Sequence, residues 1–272
     1  MKISILTILN FLALKDSGSE RAARDVVYGP LPRQKLDIYR PSGDQSGPRP
    51  VVVFFYGGGW SDGAKADYAF AGRALASLGY VVVVPDYRLV PDVEYPDFLN
   101  DCADAVEWVV ANIWQWGGYG SRLALVGHSA GAYNAVMLAV DPSLLQARGC
   151  LPAVECIAGL SGPYDFFPFD GPVSMRVFGA VREPKLTQPI EHVRAGLPAM
   201  LLVTGEEDRT VLSRNATALA ARSTEVGVAA EVKQYRWLGH PAPLLALMRP
   251  LRFIAPVLSD LRAFLNTYLP VR

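Results

Sequence analysis

RLALVGHSAGAYNAVMLA, residues 122–139, places a serine between an apolar run and a helical pattern. Residues 122–127 predict a buried strand, and residues 130–139 predict a helix. Gly127-His128-Ser129-Ala130-Gly131 joins them and fits G-x-S-x-G, in which a strained strand-to-helix turn exposes the serine hydroxyl. The two glycines permit the tight turn and the close approach of helix and strand. Ser129 is therefore the candidate nucleophile, against the alternative of a chance serine in a turn.

Apolar runs alternate with amphipathic segments from Val51 onward, which indicates strand-helix repeats around a mostly parallel sheet. With 272 residues and 51% hydrophobic content, the chain has enough apolar side chains for one large core. We expect a single α/β domain over residues 1–272, with helices on both faces of the sheet. The predicted strands cover residues 34–40 at an antiparallel edge, then 51–56, 81–85, 122–127, 155–160, 199–204 and 231–235. The predicted helices cover residues 65–78, 98–113, 130–139, 213–226 and 260–269.

A serine hydroxyl needs a base near neutral pH, and histidine is the usual one. The chain has three histidines. His128 lies within the elbow, where we expect its ring to point away from the hydroxyl, and His192 lies in a polar stretch. His240 follows the last predicted strand at the same sheet edge as Ser129. His240 is therefore the candidate base, and a loop histidine without catalytic function is the alternative.

The acid that orients this base is expected after the strand at residues 199–204, because the order serine, acid, histidine is typical of such sites. Gly205-Glu206-Glu207-Asp208 supplies three carboxylates there. Asp208 is the preferred candidate, since the G-x-x-D-x-x-V pattern turns its side chain toward the histidine loop. Its function would be to fix the imidazole tautomer and stabilise the imidazolium. Glu206 and Glu207 remain alternatives.

Three consecutive glycines follow the first buried parallel strand, in Tyr56-Gly57-Gly58-Gly59-Trp60. Residues without side chains allow backbone N–H groups to converge on the oxygen that becomes negative in a tetrahedral intermediate. We expect Gly58 and Gly59 to donate together with Ala130, the residue after the nucleophile.

Aromatic residues near these motifs are candidates for the wall of a substrate cavity, because ligand sites are mostly apolar. The candidate substrate-binding residues are Trp60, Tyr164 and Phe166. A place in the core is the alternative for each of them. Tyr164 and Phe166 belong to residues 163–198, an irregular segment that is long for a simple connection and is a candidate lid or pocket wall.

Together these motifs resemble the esterase/lipase branch of the α/β-hydrolase superfamily, near the hormone-sensitive-lipase-like and kynurenine-formamidase-like carboxylesterases. The likeness extends from about Val26 to the C-terminus and includes VPDYRLVPDVEYPDFLNDCADAV after the second buried strand. It implies the α/β-hydrolase fold and a structural pair between Arg88 and Asp101. The N-terminal region is too short for the large helical cap of many hormone-sensitive-lipase relatives, so we expect only a small lid region. The family usually carries histidine where this chain has Tyr56.

The resemblance and the motifs lead to three functional hypotheses. The first is a serine carboxylesterase that cleaves small carboxylic esters through an acyl-serine intermediate. The second is an arylformamidase, a kynurenine-formamidase-like amidase, because the triad does not separate esters from amides. The third is a non-catalytic binding protein of the same fold, because a fold alone does not imply activity.

Composition limits the partners. Acidic and basic residues balance at 26 each, and no run of like charges predicts nucleic-acid binding. We expect a small ester or amide substrate, no cofactor, no metal and no stable membrane insertion, and the sequence leaves a homodimer open. Residues 1–25 form an N-terminal segment in which residues 1–14 are expected to be a short helix. We expect a cytoplasmic location, with a secretory signal as the alternative.

Three cysteines are too few and too irregularly spaced for a disulfide framework or a zinc site. We expect Cys102, Cys150 and Cys156 to be buried reduced thiols. A bridge between Cys150 and Cys156 would require an oxidising compartment.

Overall fold

An eight-stranded sheet organises the chain, which a computed structural model describes over residues 16–43 and 47–271. The strands are β1 (Ser19–Val27), β2 (Lys35–Pro41), β3 (Arg49–Phe55), β4 (Val81–Pro85), β5 (Gly118–His128), β6 (Val154–Leu160), β7 (Ala199–Gly205) and β8 (Ala230–Tyr235). The helices are α1 (Ala69–Ala76), α2 (Asp97–Asn112), α3 (Ala130–Val140), α4 (Pro172–Phe178), α5 (Arg214–Glu225), α6 (Ala242–Leu245) and α7 (Val257–Tyr268). Each of these helices is too short or too polar to cross a bilayer.

The strands lie in the order β1-β2-β4-β3-β5-β6-β7-β8. β1 pairs with β2 and β2 with β4 in antiparallel register, and all the other pairs are parallel. The carboxyl ends of β3, β5, β7 and β8 therefore lie at one edge, where open α/β sheets bind ligands. Every residue predicted for catalysis or the oxyanion hole lies in a loop after one of these four strands or, for Ala130, at the start of the helix that follows β5.

The continuous apolar runs form the centre of the sheet. All five residues of β4 and all seven of β7 are buried, because helices cover both faces of a parallel sheet. β8 is partly exposed along its length, which is consistent with its position at an edge. The prediction of a mostly parallel sheet with flanking helices is confirmed.

The segment at residues 65–78, predicted as one helix, does not begin as an α-helix. Its first turn, Lys65–Tyr68, is a 3₁₀ helix, and α1 follows it. The Lys65 side chain turns inward, where its ammonium lies 3.0 Å from Asp37, and its N–H donates to Asp86 at 2.7 Å. These two anchors hold the first turn against β2 and β4. Gly79, with φ +109°, ends the segment as predicted.

The N-terminal region contains a strand that the sequence did not indicate. β1 runs over Ser19–Val27 and pairs with β2, although no strand was predicted before residue 34. Its sequence, SERAARDVV, is charged and mostly exposed, as suits an edge strand that discourages pairing with other chains. The short helix predicted for residues 1–14 lies outside the described residues.

The three cysteines are free and buried, as the sequence predicts. Burial raises the pKa of the Cys156 thiol to about 12 and that of Cys102 well above its usual value. These two thiols therefore remain protonated in the neutral range.

Candidate active site

Ser129 lies on a strained turn between β5 and α3. Its φ of +54° is unusual for a residue with a side chain, and its N–H donates to the Leu160 carbonyl of β6 at 2.8 Å. A Cβ on Gly127 would lie 2.2 Å from the Gly131 carbonyl oxygen, and one on Gly131 would lie 2.1 Å from the Phe55 carbonyl oxygen. Both glycines are therefore required by the close approach of helix and strands.

This packing leads to a prediction for stability. Gly131→Ala is expected to lower the free energy of unfolding by about 1–3 kcal/mol or more, because the added methyl group must push β3 and α3 apart. Thermal and urea unfolding measure the change. Gly18→Ala is the matched control, since its Cβ would meet only Ser77 Cβ at an ordinary 3.7 Å. Equal stability of the two variants would contradict the packing argument.

The structure brings Ser129, His240 and Asp208 together. His240 Nε2 lies 2.8 Å from Ser129 Oγ, and His240 Nδ1 lies 2.8 Å from Asp208 Oδ2. The carboxylate can only accept, so Nδ1 carries a proton and leaves Nε2 free to accept from the serine hydroxyl. These three residues come from loops after β5, β8 and β7, and they meet only in the folded sheet.

Asp208 is held in place by backbone groups of its own loop. Its Oδ1 accepts from the N–H groups of Thr210 at 2.9 Å and Val211 at 2.8 Å. Burial opposes ionisation, but the hydrogen bonds from His240, Val211 and Thr210 outweigh it, so the pKa of Asp208 is lowered. Glu206 and Glu207, the alternative acids, are exposed to solvent.

Within the described part of the chain, neither of the other two histidines is hydrogen-bonded to Ser129 Oγ. His192 Nε2 is 2.7 Å from the Leu186 carbonyl oxygen, away from the nucleophile. His128 is buried beside the site, with its Nε2 3.4 Å from the His240 carbonyl oxygen. Burial and the neighbouring His240 lower the pKa of His128 to about 3, so this ring is neutral near pH 7.

The glycine loop after β3 lies against the nucleophile. A Cβ on Gly57 would be 3.0 Å from Ser129 Cβ, and Gly58 and Gly59 have φ values of +134° and +57° that favour glycine. Within residues 16–43 and 47–271, the N–H groups of Gly58, Gly59 and Ala130 donate to no protein acceptor. All three residues line the same cavity as Ser129. This arrangement can stabilise an oxyanion.

A cavity of about 520 Å³ opens above Ser129. Its wall is contributed by the glycine loop, Ser129 and His240, the loop between β7 and α5, and part of the irregular segment. The lining residues are Gly58, Gly59, Trp60, Ser61, His128, Ser129, Ala130, Pro163, Phe166, Asp170, Gly171, Pro172, Val173, Ser174, Thr210, Val211 and His240. Asp170 is the one carboxylate among these lining residues, which include no lysine or arginine, so the cavity suits a neutral, largely apolar molecule.

The structure separates the three aromatic candidates. Phe166 and Trp60 line the cavity, and the Trp60 indole also donates to Asn134 Oδ1 at 3.0 Å in the core. The structure corrects the expectation for Tyr164, which is fully buried and does not line the cavity. Its hydroxyl lies where a Cβ on Gly159 or Gly162 would be, because these two glycines leave space for the ring inside the core.

Sequence reasoning did not identify several lining residues. Val173, on α4, lies over the oxyanion loop, with a methyl group 3.1 Å from the position of a Cβ on Gly59. Thr210 and Val211 also line the cavity. The segment at residues 163–198 was marked only as a whole, and no local pattern distinguished its cavity-facing residues from the others. The expected pair of Arg88 and Asp101 is present, at 2.8 Å.

The sheet order and the serine, histidine and aspartate at its carboxyl edge define the α/β-hydrolase class of proteins. Within that class, the chain belongs to the BD-FAE family, whose model matches residues 36–222.

Named relatives and solved structures agree with this class. The chain is 30% identical over 258 residues to isoprenylcysteine alpha-carbonyl methylesterase ICME of Arabidopsis thaliana, covering 86% of this chain and 59% of the relative. It is 29% identical over 219 residues to esterase LipC of Mycobacterium tuberculosis strain ATCC 25618 / H37Rv, covering 73% of this chain and 54% of the relative. The chain thus spans little more than half the length of these relatives.

Two solved structures share the fold. A truncated carbohydrate esterase from gut microbiota superposes with a TM-score of 0.79 at 20% identity, covering 94% of this chain and 99% of that one. The apo form of Thermogutta terrifontis esterase 2 superposes with a TM-score of 0.75 at 22% identity, covering 94% and 97%. At these sequence identities, the structural similarity supports the assignment of the fold alone.

Proposed function

We propose that this protein is a serine carboxylesterase that cleaves small, neutral carboxylic esters through an acyl-serine intermediate. One observation carries the proposal: the continuous chain of 2.8 Å contacts from Asp208 through His240 to Ser129, beside the N–H groups of the glycine loop and Ala130. The names of the relatives, which are esterases and a methylesterase, support ester hydrolysis.

The geometry supports a two-step reaction. Ser129 Oγ attacks the ester carbonyl carbon while its proton moves to His240 Nε2, and the N–H groups of Gly58, Gly59 and Ala130 receive the negative oxygen. When the intermediate collapses, the C–O bond to the alcohol breaks and His240 returns the proton to the departing oxygen. A water molecule then repeats these steps on the acyl-serine and releases the acid. Asp208 keeps the imidazole oriented and stabilises its cationic form.

The cavity supports a substrate of modest size. Phe166, Val173 and Val211 present apolar surface to it, and Trp60 lies beside the oxyanion glycines. We propose that Trp60 and Phe166 contact the substrate and that residues 163–198 form a pocket wall rather than a large cap. Apolar burial favours an uncharged acyl group over a carboxylate-bearing one.

A paired assay tests the proposal against the formamidase alternative, which the relatives named above do not support. The purified protein is given p-nitrophenyl butyrate and N-formylkynurenine under the same conditions. We expect rapid ester cleavage without comparable cleavage of the formyl amide. Faster turnover of the amide would refute the carboxylesterase assignment, and failure to label with a fluorophosphonate probe would favour a non-catalytic binding protein.

The cytoplasmic location remains a prediction, and the homodimer is a question that the sequence left open. Fractionation of the source cells tests the first, and light scattering of the purified protein coupled to size-exclusion chromatography tests the second.

A further inference from the structure

Hydroxyl groups of buried tyrosines donate hydrogen bonds to the start of the oxyanion loop, residues 57–63, and to the residue before it. Tyr87 Oη donates to the Tyr56 carbonyl oxygen at 2.7 Å, and Tyr68 Oη donates to the Gly57 carbonyl oxygen at 3.3 Å. Inside the loop, the Gly58 carbonyl accepts from the N–H groups of Ser61 and Asp62 at 3.1 and 3.0 Å. The loop is therefore a compact turn whose orientation depends on how its two ends are held.

Tyr56 holds the first end. Its ring is fully buried and stacks between Tyr87, at a centroid distance of 4.6 Å, and Tyr68, at 5.4 Å. The ring also reaches the far end of the loop, because a Cβ on Gly63 would lie 3.0 Å from two of its carbon atoms. Burial raises the pKa of Tyr56 well above its usual value, so its hydroxyl stays protonated.

Arg33 joins the two ends of the loop. One guanidinium nitrogen, Nη2, donates to Tyr56 Oη at 3.0 Å and also to the Gly63 carbonyl oxygen. The same side chain donates through Nε to the Tyr87 carbonyl oxygen at 2.7 Å. Arg33 lies between β1 and β2, 23 residues from Tyr56 in sequence, so its place is set by tertiary structure. The planar guanidinium presents its donors in a fixed fork, so this one side chain can serve all three acceptors.

We propose that Arg33 and Tyr56 are positioning residues for the oxyanion hole. Arg33 ties the start of the oxyanion loop, at Tyr56, to its end, at Gly63, and this keeps the N–H groups of Gly58 and Gly59 aimed at the carbonyl oxygen of the substrate. Neither residue touches the substrate. The inference rests on the proposed esterase function, and it concerns the position where the family usually has a histidine.

We call the hydrogen-bonded pair of Arg33 and Tyr56 the clamp. If the clamp positions the oxyanion donors, its loss should lower kcat without a matching change in KM, since the oxyanion forms only after the ester is bound. Arg33→Ala is expected to lower kcat for p-nitrophenyl butyrate by about ten- to a hundredfold, because a displaced donor loses part of its stabilisation of the transition state. Tyr56→Phe keeps the stacked ring and removes the hydroxyl that accepts from Arg33, so a smaller loss of kcat is expected. The double variant should lose much less than the sum of the single effects in free energy.

Two measurements separate positioning from general destabilisation. Millimolar guanidinium chloride should restore part of the kcat of Arg33→Ala, because the free cation can occupy the space of the deleted side chain. The rate of Ser129 phosphonylation by a fluorophosphonate should fall in parallel with kcat. Tyr80→Phe and Arg73→Ala are matched controls, since they remove single hydrogen bonds to the carbonyls of Leu269 and Ser19, away from the loop.

The outcomes are distinct. Reduced kcat with rescue and non-additivity supports the clamp. Folded Arg33→Ala and Tyr56→Phe proteins with the kcat of the parent would overturn the clamp alone and leave the esterase proposal intact. Additive losses without guanidinium rescue would also overturn it. A parent protein that neither cleaves the ester nor labels at Ser129 would overturn both proposals.

Discussion

Ser129→Ala is expected to lower kcat for p-nitrophenyl butyrate by about 10⁴- to 10⁶-fold, because it removes the atom that forms the acyl-enzyme. KM should change little, since the hydroxyl contributes little to binding of the ester before reaction. The variant should also lose labelling by a fluorophosphonate. Turnover and labelling are measured on the same preparation, with a stopped assay sensitive enough to detect residual hydrolysis.

Ser161 provides a matched control for this variant. It lies at the end of the adjacent strand β6, is buried, and has a φ of +51°, almost the same backbone strain as Ser129. Its Oγ has no hydrogen-bond partner among the described residues. Ser161→Ala should therefore keep both turnover and labelling. If Ser129→Ala retained full activity, the assignment of the nucleophile would be wrong.

The sequence was sufficient to predict the centre of the sheet and the residues that meet above it. β4 has the predicted bounds, and the strands that deliver Ser129 and Asp208 were located from continuous apolar runs. Such runs indicate burial on both faces, and parallel strands bring their carboxyl ends to one edge. His240 followed from this geometry because only three histidines were available.

Other features depend on tertiary packing and left no local pattern. β1 is charged and exposed, so neither alternation nor apolar content marked it. Tyr164 was expected in the cavity, but its ring lies in the core, in the space that Gly159 and Gly162 leave. Arg33 contacts Tyr56, Gly63 and Tyr87 across long sequence separations, and a single arginine in a loop gives no sign of such contacts.

Asp208→Asn is expected to have the second large effect on activity, a fall in kcat of about 10³- to 10⁴-fold. The amide oxygen can keep the hydrogen bonds from Thr210 and Val211 that Oδ1 accepts. The amide nitrogen then faces His240 and donates to Nδ1, which places the imidazole proton on Nε2. In that tautomer Nε2 cannot accept the proton of Ser129, so the base is lost while the fold is kept.

Steady-state kinetics and thermal unfolding over a range of pH measure these effects together. The pKa of Asp208 is lowered below its ordinary value of 3.8: burial opposes this shift, and the hydrogen bonds of the carboxylate outweigh burial. A depressed carboxyl pKa stabilises the native state fully above the unfolded value, and the gain disappears as the pH falls through the lower folded value. The parent should therefore melt at a higher temperature than Asp208→Asn at neutral pH, and the difference should shrink below about pH 4.

Glu207→Gln is the matched control for charge removal in the same loop, because Glu207 is exposed and Asp208 is not. It should keep the kcat of the parent and its melting temperature at neutral pH. If Glu207→Gln lost activity as strongly as Asp208→Asn, the acid would not be Asp208 alone. A difference in melting temperature between the parent and Asp208→Asn that grew as the pH fell would contradict an ionised, hydrogen-bonded Asp208 carboxylate that orients His240.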